Sequence, residues 1–201
     1  MIDRDERNGQ RERAKVGCVL LASGFSTRFN SNKLLADFRG KPLISHTMTA
    51  LGSAGLADIC VVTRYPEVQY LAEEFSFRSI LHDEPALSDT IRLGIGSFDE
   101  KLSGYMLCVA DQPLLTTKTL RSLLERFSQD PSCIIRPKNG ETPGNPVIFP
   151  AALRCDLLSL EGEQGGRAVI KKHPELLQFL EIENPAEFMD VDTAEALLQL
   201  R

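Results

Sequence analysis

Arg28 and Lys33 follow closely on a run of small residues, Leu21-Ala22-Ser23-Gly24-Phe25-Ser26-Thr27. Such a loop can turn backbone N–H groups toward phosphate oxygens. Two nearby cations would then neutralise a polyphosphate, each close contact contributing on the order of 4 kcal/mol at an effective dielectric of ~20. The segment has neither the G-x-G-x-x-G spacing of a dinucleotide fold nor the closing G-K-[ST] of a Walker loop. The same residues also fit an ordinary strand-to-helix loop with both cations in water.

Asp111 ends the apolar run Tyr105–Ala110 and precedes Gln112-Pro113, which stops regular pairing. A carboxylate placed there suits Mg²⁺, a hard cation held by one or two carboxylates plus phosphate oxygens and water; a turn cap is the plainer role. Asp190 and Asp192 are a second acidic pair, on one face if the chain is extended there. Asp192 is also placed to cap a last helix, with Glu195 completing a capping box. His82 ends an apolar run, where packing or a nucleotide could use it. His46 early in a helix and His173 at a basic helix end read as structural. No local spacing suggests a Ser-His-Asp or Cys-His arrangement.

The elements that must hold these groups are short extended runs alternating with amphipathic helices, the pattern of a three-layer α/β domain. Strands are expected at Gly17–Ala22, Ile59–Thr63, Ser79–His82, Tyr105–Ala110 and Cys133–Arg136, with further extended pieces at Pro146–Phe149 and Gln178–Ile182. Val68, Leu71, Ala72 and Phe75 repeat at helical spacing, as do Leu120, Leu123, Leu124 and Phe127. A further helix is expected over Leu87–Phe98, burying Leu87, Ile91, Ile95 and Phe98. Lys138–Pro146, rich in Gly, Pro and Asn, reads as a long functional loop. Ligands of open parallel sheets collect at the carboxyl ends of the strands, where Ser23, Asp111 and their neighbours fall.

The first loop continues into Lys33-Leu34-Leu35 and Gly40-Lys41-Pro42-Leu43-Ile44. Leu87-Ser88-Asp89-Thr90, Val109-Ala110-Asp111-Gln112-Pro113, Pro143-Gly144-Asn145-Pro146-Val147, Glu163-Gln164-Gly165-Gly166-Arg167 and Asp190-Val191-Asp192-Thr193 follow in order. This ordered set, over about residues 16 to 200, resembles the molybdenum cofactor cytidylyltransferase (MocA-like) family of nucleotidyltransferases, related to the molybdenum cofactor guanylyltransferases. The resemblance implies a Rossmann-like nucleotide-diphospho-sugar transferase fold: three layers, α/β/α, around a mixed, mostly parallel sheet. It implies an enzyme that joins CMP from CTP to a phosphorylated acceptor, molybdopterin carrying molybdenum, and releases pyrophosphate. Arg28, Lys33 and Asp111 would be catalytic. Leu21, Ala22, Ser23, Gly24, Ser26, Arg28, Lys33, Ser88, Asp89 and Thr90 would hold the nucleotide. Gly144, Asn145, Pro146 and Arg167 would face the acceptor. Mg²⁺ would sit on Asp111 with Asp192 as second ligand, Asp190 in reserve. The chain departs from the family at Phe29-Asn30, at Asn145 in place of His, and at Asp89, where a hydroxyl is common. A carboxylate there would repel a triphosphate, so Asp89 is expected to turn toward base, ribose, metal or helix N-terminus.

Composition narrows the classes that remain. At 201 residues the chain is sized for one domain with a real core. We expect residues 1–14 to be a disordered tail and 15–201 a single nucleotidyltransferase domain. The tail is mixed in charge with no apolar stretch, unlike a signal peptide. The hydrophobic fraction is 42% and the charged fraction 25%, as in globular proteins. A net charge of −5 disfavours nucleic acid as partner. No apolar run approaches the length of a membrane span, roughly 18 residues or more. The five cysteines show no C-x-x-C pair, and the first four lie in apolar runs, which fits reduced buried thiols in the cytoplasm. Three other readings stay open: a nucleotidyltransferase for a sugar or polyol phosphate, a glycosyltransferase using Asp190-Val191-Asp192 as a D-x-D motif, and a non-catalytic chaperone that delivers cofactor to a molybdenum hydroxylase.

Overall fold

The computed structural model describes residues 13–25, 32–99 and 101–200. Most of the expected N-terminal tail, and Ser26, Arg28, Phe29 and Asn30 of the first loop, lie outside the described residues. Ala14, expected in the tail, is already tied down: its N–H donates to Ser128 Oγ at 3.2 Å.

The central strand β1 (Val16–Ala22) is parallel to β4 (Asp58–Thr63) on one side and to β6 (Gly104–Val109) on the other. Between β1 and β4 in sequence, β2 (Asp37–Phe38) and β3 (Lys41–Pro42) form a small antiparallel ribbon. Strand β5 (Arg78–Leu81) continues the sheet in parallel beyond β4. Beyond β6 the sheet is mixed. β7 (Ile134–Asn139) pairs with the short β8 (Thr142–Pro143) and with β9 (Val147–Pro150), both antiparallel, and with β10 (Leu177–Glu181) in parallel. The order across the sheet is β10-β7-β9-β6-β1-β4-β5.

Helices cover both faces, which is why β1 is apolar along its length instead of alternating. Cys18, Leu20 and Ala22 point into a core shared with α1 (Leu43–Gly52), α2 (Pro66–Glu74), α4 (Thr117–Gln129) and α7 (Ala194–Gln199). Val19 points the other way, into a core shared with α3 (Leu87–Gly96), α5 (Arg154–Leu158) and α6 (Gly166–Lys172). The chain runs outward through β4 and β5 and then returns through α3 to β6 on the opposite side of β1. Strand order therefore reverses at β1, and the crevice above its carboxyl end is where such sheets bind ligands.

Every run expected to be extended is a strand with shifted ends, the largest shift at β7, which continues to Asn139. The expected long loop over Lys138–Pro146 is instead a tight β7–β8 hairpin turning at Gly140, with Lys138 opposite Pro143. The last helix is also capped differently. Thr193, not Asp192, is its N-cap, and Thr193 Oγ1 accepts from Ala196 N–H at 3.1 Å. Shifting the start by one residue removes the expected Asp192/Glu195 capping box.

Helix α3 is set against the sheet by a glycine. A Cβ on Gly94 would stand 2.4 Å from Val19 Cγ1. Val19 is buried and stiff about χ1, so it cannot swing aside. Alanine improves helix propensity by up to ~1 kcal/mol over glycine, but overpacking of this kind costs roughly 1–3 kcal/mol. Gly94→Ala is expected to be net destabilising, by roughly 1 kcal/mol, lowering the melting temperature by about 2–4 °C. An unchanged or raised melting temperature would show that α3 can lift off β1 freely.

Candidate active site

The site forms where three distant segments meet at the carboxyl end of the sheet. The first is the turn after β1. The second begins at Lys33, which opens a 3-10 turn over Lys33–Leu35 whose cap, Asn32, accepts from Leu34 N–H at 3.0 Å. The third is the pair of acidic stretches after β6 and before α7. Val191 N–H donates to Asp111 C=O at 2.9 Å, docking residues 190–192 against the end of β6. Gln112, only 2% exposed, reinforces this: its amide donates to Asp190 Oδ1 at 2.9 Å and to Phe188 C=O at 3.3 Å. Buried Glu187 accepts from the N–H and the hydroxyl of Thr116, each at 2.9 Å, fastening the same segment to the start of α4.

Lys33 Nζ lies between two carboxylates, 2.7 Å from Asp111 Oδ2 and 2.9 Å from Asp192 Oδ1. Burial pulls the ammonium pKa down, but the Asp111 carboxylate, and after it Asp192, outweighs burial and holds Lys33 above its ordinary value. Asp190 bonds to Gln112 instead. Burial and the neighbouring Asp111 charge push its carboxyl up, with the Gln112 hydrogen bond opposing. Asp190 and Asp192 thus both lie near Asp111, but on different partners and outside any strand.

Asp111 and Asp192 converge on one cationic nitrogen, which is the donor set a divalent cation needs when phosphates and water supply the rest. Among the described residues no group of three or more His, Cys, Asp or Glu side chains forms a self-sufficient metal centre. A two-carboxylate site completed by a substrate therefore fits these residues; a closed structural metal site does not.

Two cavities adjoin here. One, of about 420 Å³, is lined by Ser23, Gly24, Lys33, Arg64, Thr90 and Asp111. The other, of about 540 Å³, is lined by Gln112, Arg136, Gly144, Asn145, Arg167 and Asp190. They share Leu21, Leu87, Val109 and Glu163 as a common wall. Ala22 also lines the first cavity. Pro146 is buried behind Asn145 and contributes no lining. Gly144 is held against Phe188, whose ring a Cβ would meet at 2.5 Å.

Of the helix-start residues Ser88, Asp89 and Thr90, the structure brings only Thr90 to the first cavity. Ser88 is buried, its N–H donating to Gly162 C=O at 3.1 Å. Asp89 turns to the helix N-terminus, where it accepts from Ala86 N–H at 3.3 Å and pairs with Arg92. That is one of the directions expected for a carboxylate kept off a triphosphate. His82 packs behind the loop: its Nε2 is 2.7 Å from Ser23 Oγ, and burial, then the Arg64 charge, lowers its pKa. Ser23 Oγ also lies 3.1 Å from Val62 C=O, to which it can donate. His46 Nε2 is bonded to Phe38 C=O at 2.8 Å and His173 Nε2 to Asp156 at 3.1 Å, both structural.

Sequence reasoning missed Arg64, Tyr65, Arg136 and Gln112. Arg64 and Tyr65 follow β4 at the same sheet edge, so attention to the residues after each strand could have found them. Arg136 lies within β7 and carried no local signal. Its Nε donates to Gly144 C=O at 3.0 Å. Burial, then the nearby Arg167 charge, lowers its pKa. Neither arginine meets a carboxylate among the described residues.

No helix among the described residues is long and apolar enough to cross a membrane. A probable molybdenum cofactor guanylyltransferase of Thermococcus sibiricus is 29% identical to this chain over 128 residues, 61% of this chain and 62% of that protein. A 3-deoxy-manno-octulosonate cytidylyltransferase of Escherichia coli is 29% identical over 120 residues, 59% of this chain and 48% of that protein. The match spans less than two thirds of the length of either relative. The crystal structure of Rv0371c from Mycobacterium tuberculosis H37Rv in complex with manganese shares the fold, with a TM-score of 0.78 at 20% identity over 92% of this chain and 97% of that one. Residues 18–176, running from β1 to the turn before β10, match the MobA-like NTP transferase domain, and the chain belongs to that family.

Proposed function

We propose that the protein transfers a nucleotidyl group, CMP from CTP, to a phosphorylated acceptor of the molybdopterin class and releases pyrophosphate. The observation that carries this reading is Lys33 held between Asp111 and Asp192, with Lys33 and Asp111 in the wall of the first of two adjoining cavities. The first cavity, with Ser23, Gly24 and Lys33, is taken as the nucleotide's, and Arg28 and Ser26 belong to the same loop by sequence. The second, with Arg136 and Arg167 unpaired by carboxylates among the described residues, suits an anionic acceptor; Gly144 and Asn145 also line it. Two like charges left together beside a cavity call for an anion to offset them.

Mg²⁺ on Asp111 and Asp192 would supply charge neutralisation of the phosphate oxygens. The rest falls to side chains. Lys33 gives up its two carboxylates and donates to the triphosphate, so its charge follows the negative charge that grows on the leaving pyrophosphate. Arg136 and Arg167 hold the acceptor so that one of its phosphate oxygens faces the α-phosphorus. An acceptor oxygen bonds to that phosphorus as its bond to the bridging oxygen breaks, and pyrophosphate departs. No covalent enzyme intermediate is required; positioning and electrostatics carry the rate.

The donor assignment rests on the Asp190-Val191-Asp192-Thr193 and Gly144-Asn145-Pro146-Val147 segments. A ligand that binds only the folded state raises apparent stability by mass action. With Mg²⁺ present, CTP is expected to raise the melting temperature more than GTP or ATP at equal concentration. If GTP stabilises most and is the donor consumed, the protein is a guanylyltransferase, as the Thermococcus relative is named. Transfer to a sugar acid or polyol phosphate is the second reading, favoured by the likeness to the 3-deoxy-manno-octulosonate enzyme.

A further inference from the structure

Three consecutive residues, from the last of β4 onward, take up three consecutive carbonyls, from the last of β1 onward. Thr63 Oγ1 donates to Ala22 C=O at 3.0 Å, Arg64 Nε donates to Ser23 C=O at 2.6 Å, and Tyr65 Oη donates to Gly24 C=O at 2.7 Å. The parallel ladder between these strands ends with Ala22 opposite Thr63, so the side chains extend the pairing past the point where backbone pairing stops. Each donor is itself fixed. Thr63 Oγ1 accepts from Tyr65 N–H at 3.1 Å. The Arg64 guanidinium donates to Glu84 C=O at 2.9 Å and lies 3.8 Å over the Phe25 ring.

In a planar trans peptide the C=O and the following N–H point in opposite directions. Holding the carbonyls of Ala22, Ser23 and Gly24 on the β4 side therefore turns the N–H groups of Ser23, Gly24 and Phe25 the other way. No acceptor among the described residues takes the N–H of Gly24 or Phe25. These residues line the cavity that contains Lys33 and Asp111. We infer that Arg64 and Tyr65 are positioning residues that clasp this loop by its carbonyls and so present its N–H groups to the phosphates of the nucleotide. The inference rests on the nucleotidyl-transfer reading above and adds residues that touch no reacting atom. Without the clasp, a peptide of this glycine-containing turn can flip and aim a carbonyl dipole at the phosphates, where it repels them.

The test is titration calorimetry with Mg²⁺–CTP and, separately, Mg²⁺–pyrophosphate on wild type, Tyr65→Phe and Arg64→Gln. Tyr70→Phe, exposed on α2, the helix that Tyr65 precedes as N-cap, is the control. Tyr65→Phe removes one hydroxyl and keeps the ring, so the fold should persist, as melting without ligand will show. Loss of one donor to the loop is expected to weaken both ligands about three- to tenfold, with Arg64→Gln losing more, while Tyr70→Phe matches wild type. The KM for the acceptor should not move, which a general loss of structure would not spare. Wild-type affinity for both ligands in Tyr65→Phe overturns the clasp and leaves the nucleotidyl reading standing. A wild type that binds neither ligand overturns the nucleotidyl reading and the clasp's role with it.

Discussion

Lys33→Ala is expected to lower turnover by ~10²–10³, the range found when a positioned electrostatic donor is removed from a transition state. The argument is geometric. Lys33 contacts both Asp111 and Asp192, and it lines the cavity assigned to the triphosphate. The variant also carries a signature that a passive surface lysine would lack. Removing the ammonium leaves Asp111 beside Asp190, whose carboxyl is already pushed up by burial and by the Asp111 charge. Without divalent cation the variant should melt below wild type, and most of that loss belongs to the Asp111 contact. The Asp192 side chain is 56% exposed, and solvent screens its bond to Lys33. Adding Mg²⁺ should raise the variant's melting temperature more than the wild type's, because the ion replaces the missing charge. Near-wild-type turnover with an unchanged Mg²⁺ response would remove Lys33 from the site.

Asp111→Asn and Asp192→Asn should each weaken Mg²⁺-dependent turnover, and the double variant should lose less than the two losses multiplied. Residues that act through one ion are non-additive in this way. Loss of even an outer partner of a metal site costs ~10–100-fold, so Asp111, the less exposed of the two, should lose at least that. Both substitutions are clean probes. Asp111→Asn keeps the backbone carbonyl that accepts from Val191 N–H. Asp192→Asn does not touch the cap of the last helix, because Thr193 performs that role. Turnover measured against Mg²⁺ concentration reads the effect directly. If Asp192→Asn leaves that curve unmoved, the second ligand is Asp190, freed from Gln112, or Asp111 acts alone.

The strands were legible because β1, β4 and β6 are buried on both faces and so appear as uninterrupted apolar runs. Asp111 was legible for the same reason, since a carboxylate and a proline close such a run abruptly. The meeting of Lys33 with Asp111 and Asp192 was not, because these residues are joined only through tertiary docking of Val191 on the end of β6. The cap of α7 was misplaced because Asp192 and Thr193 are both good cap residues, and the choice depends on which side chain another partner claims first. Lys33 claims Asp192. Lys138–Pro146 looked like a loop because its composition is that of turns; pairing of Lys138 with Pro143 makes it a hairpin. Ser88 was assigned to the nucleotide by resemblance, yet burial beneath the Gly162 carbonyl sets its place. Arg136 was invisible because a cation inside a strand has no local signature until a neighbour such as Arg167 is brought beside it.

The central claim is transfer chemistry at the junction of two cavities, and pyrophosphate release tests it most directly. Purified protein is mixed with Mg²⁺, CTP and a molybdopterin-type phosphorylated acceptor, with GTP and ATP in parallel, and pyrophosphate is measured against the nucleotidylated product. The account predicts one pyrophosphate per product, dependence on both Mg²⁺ and acceptor, and CTP as the preferred donor. Folded protein that binds nucleotide but releases no pyrophosphate with any donor and acceptor would contradict it, and would make the protein a binding module instead of a transferase.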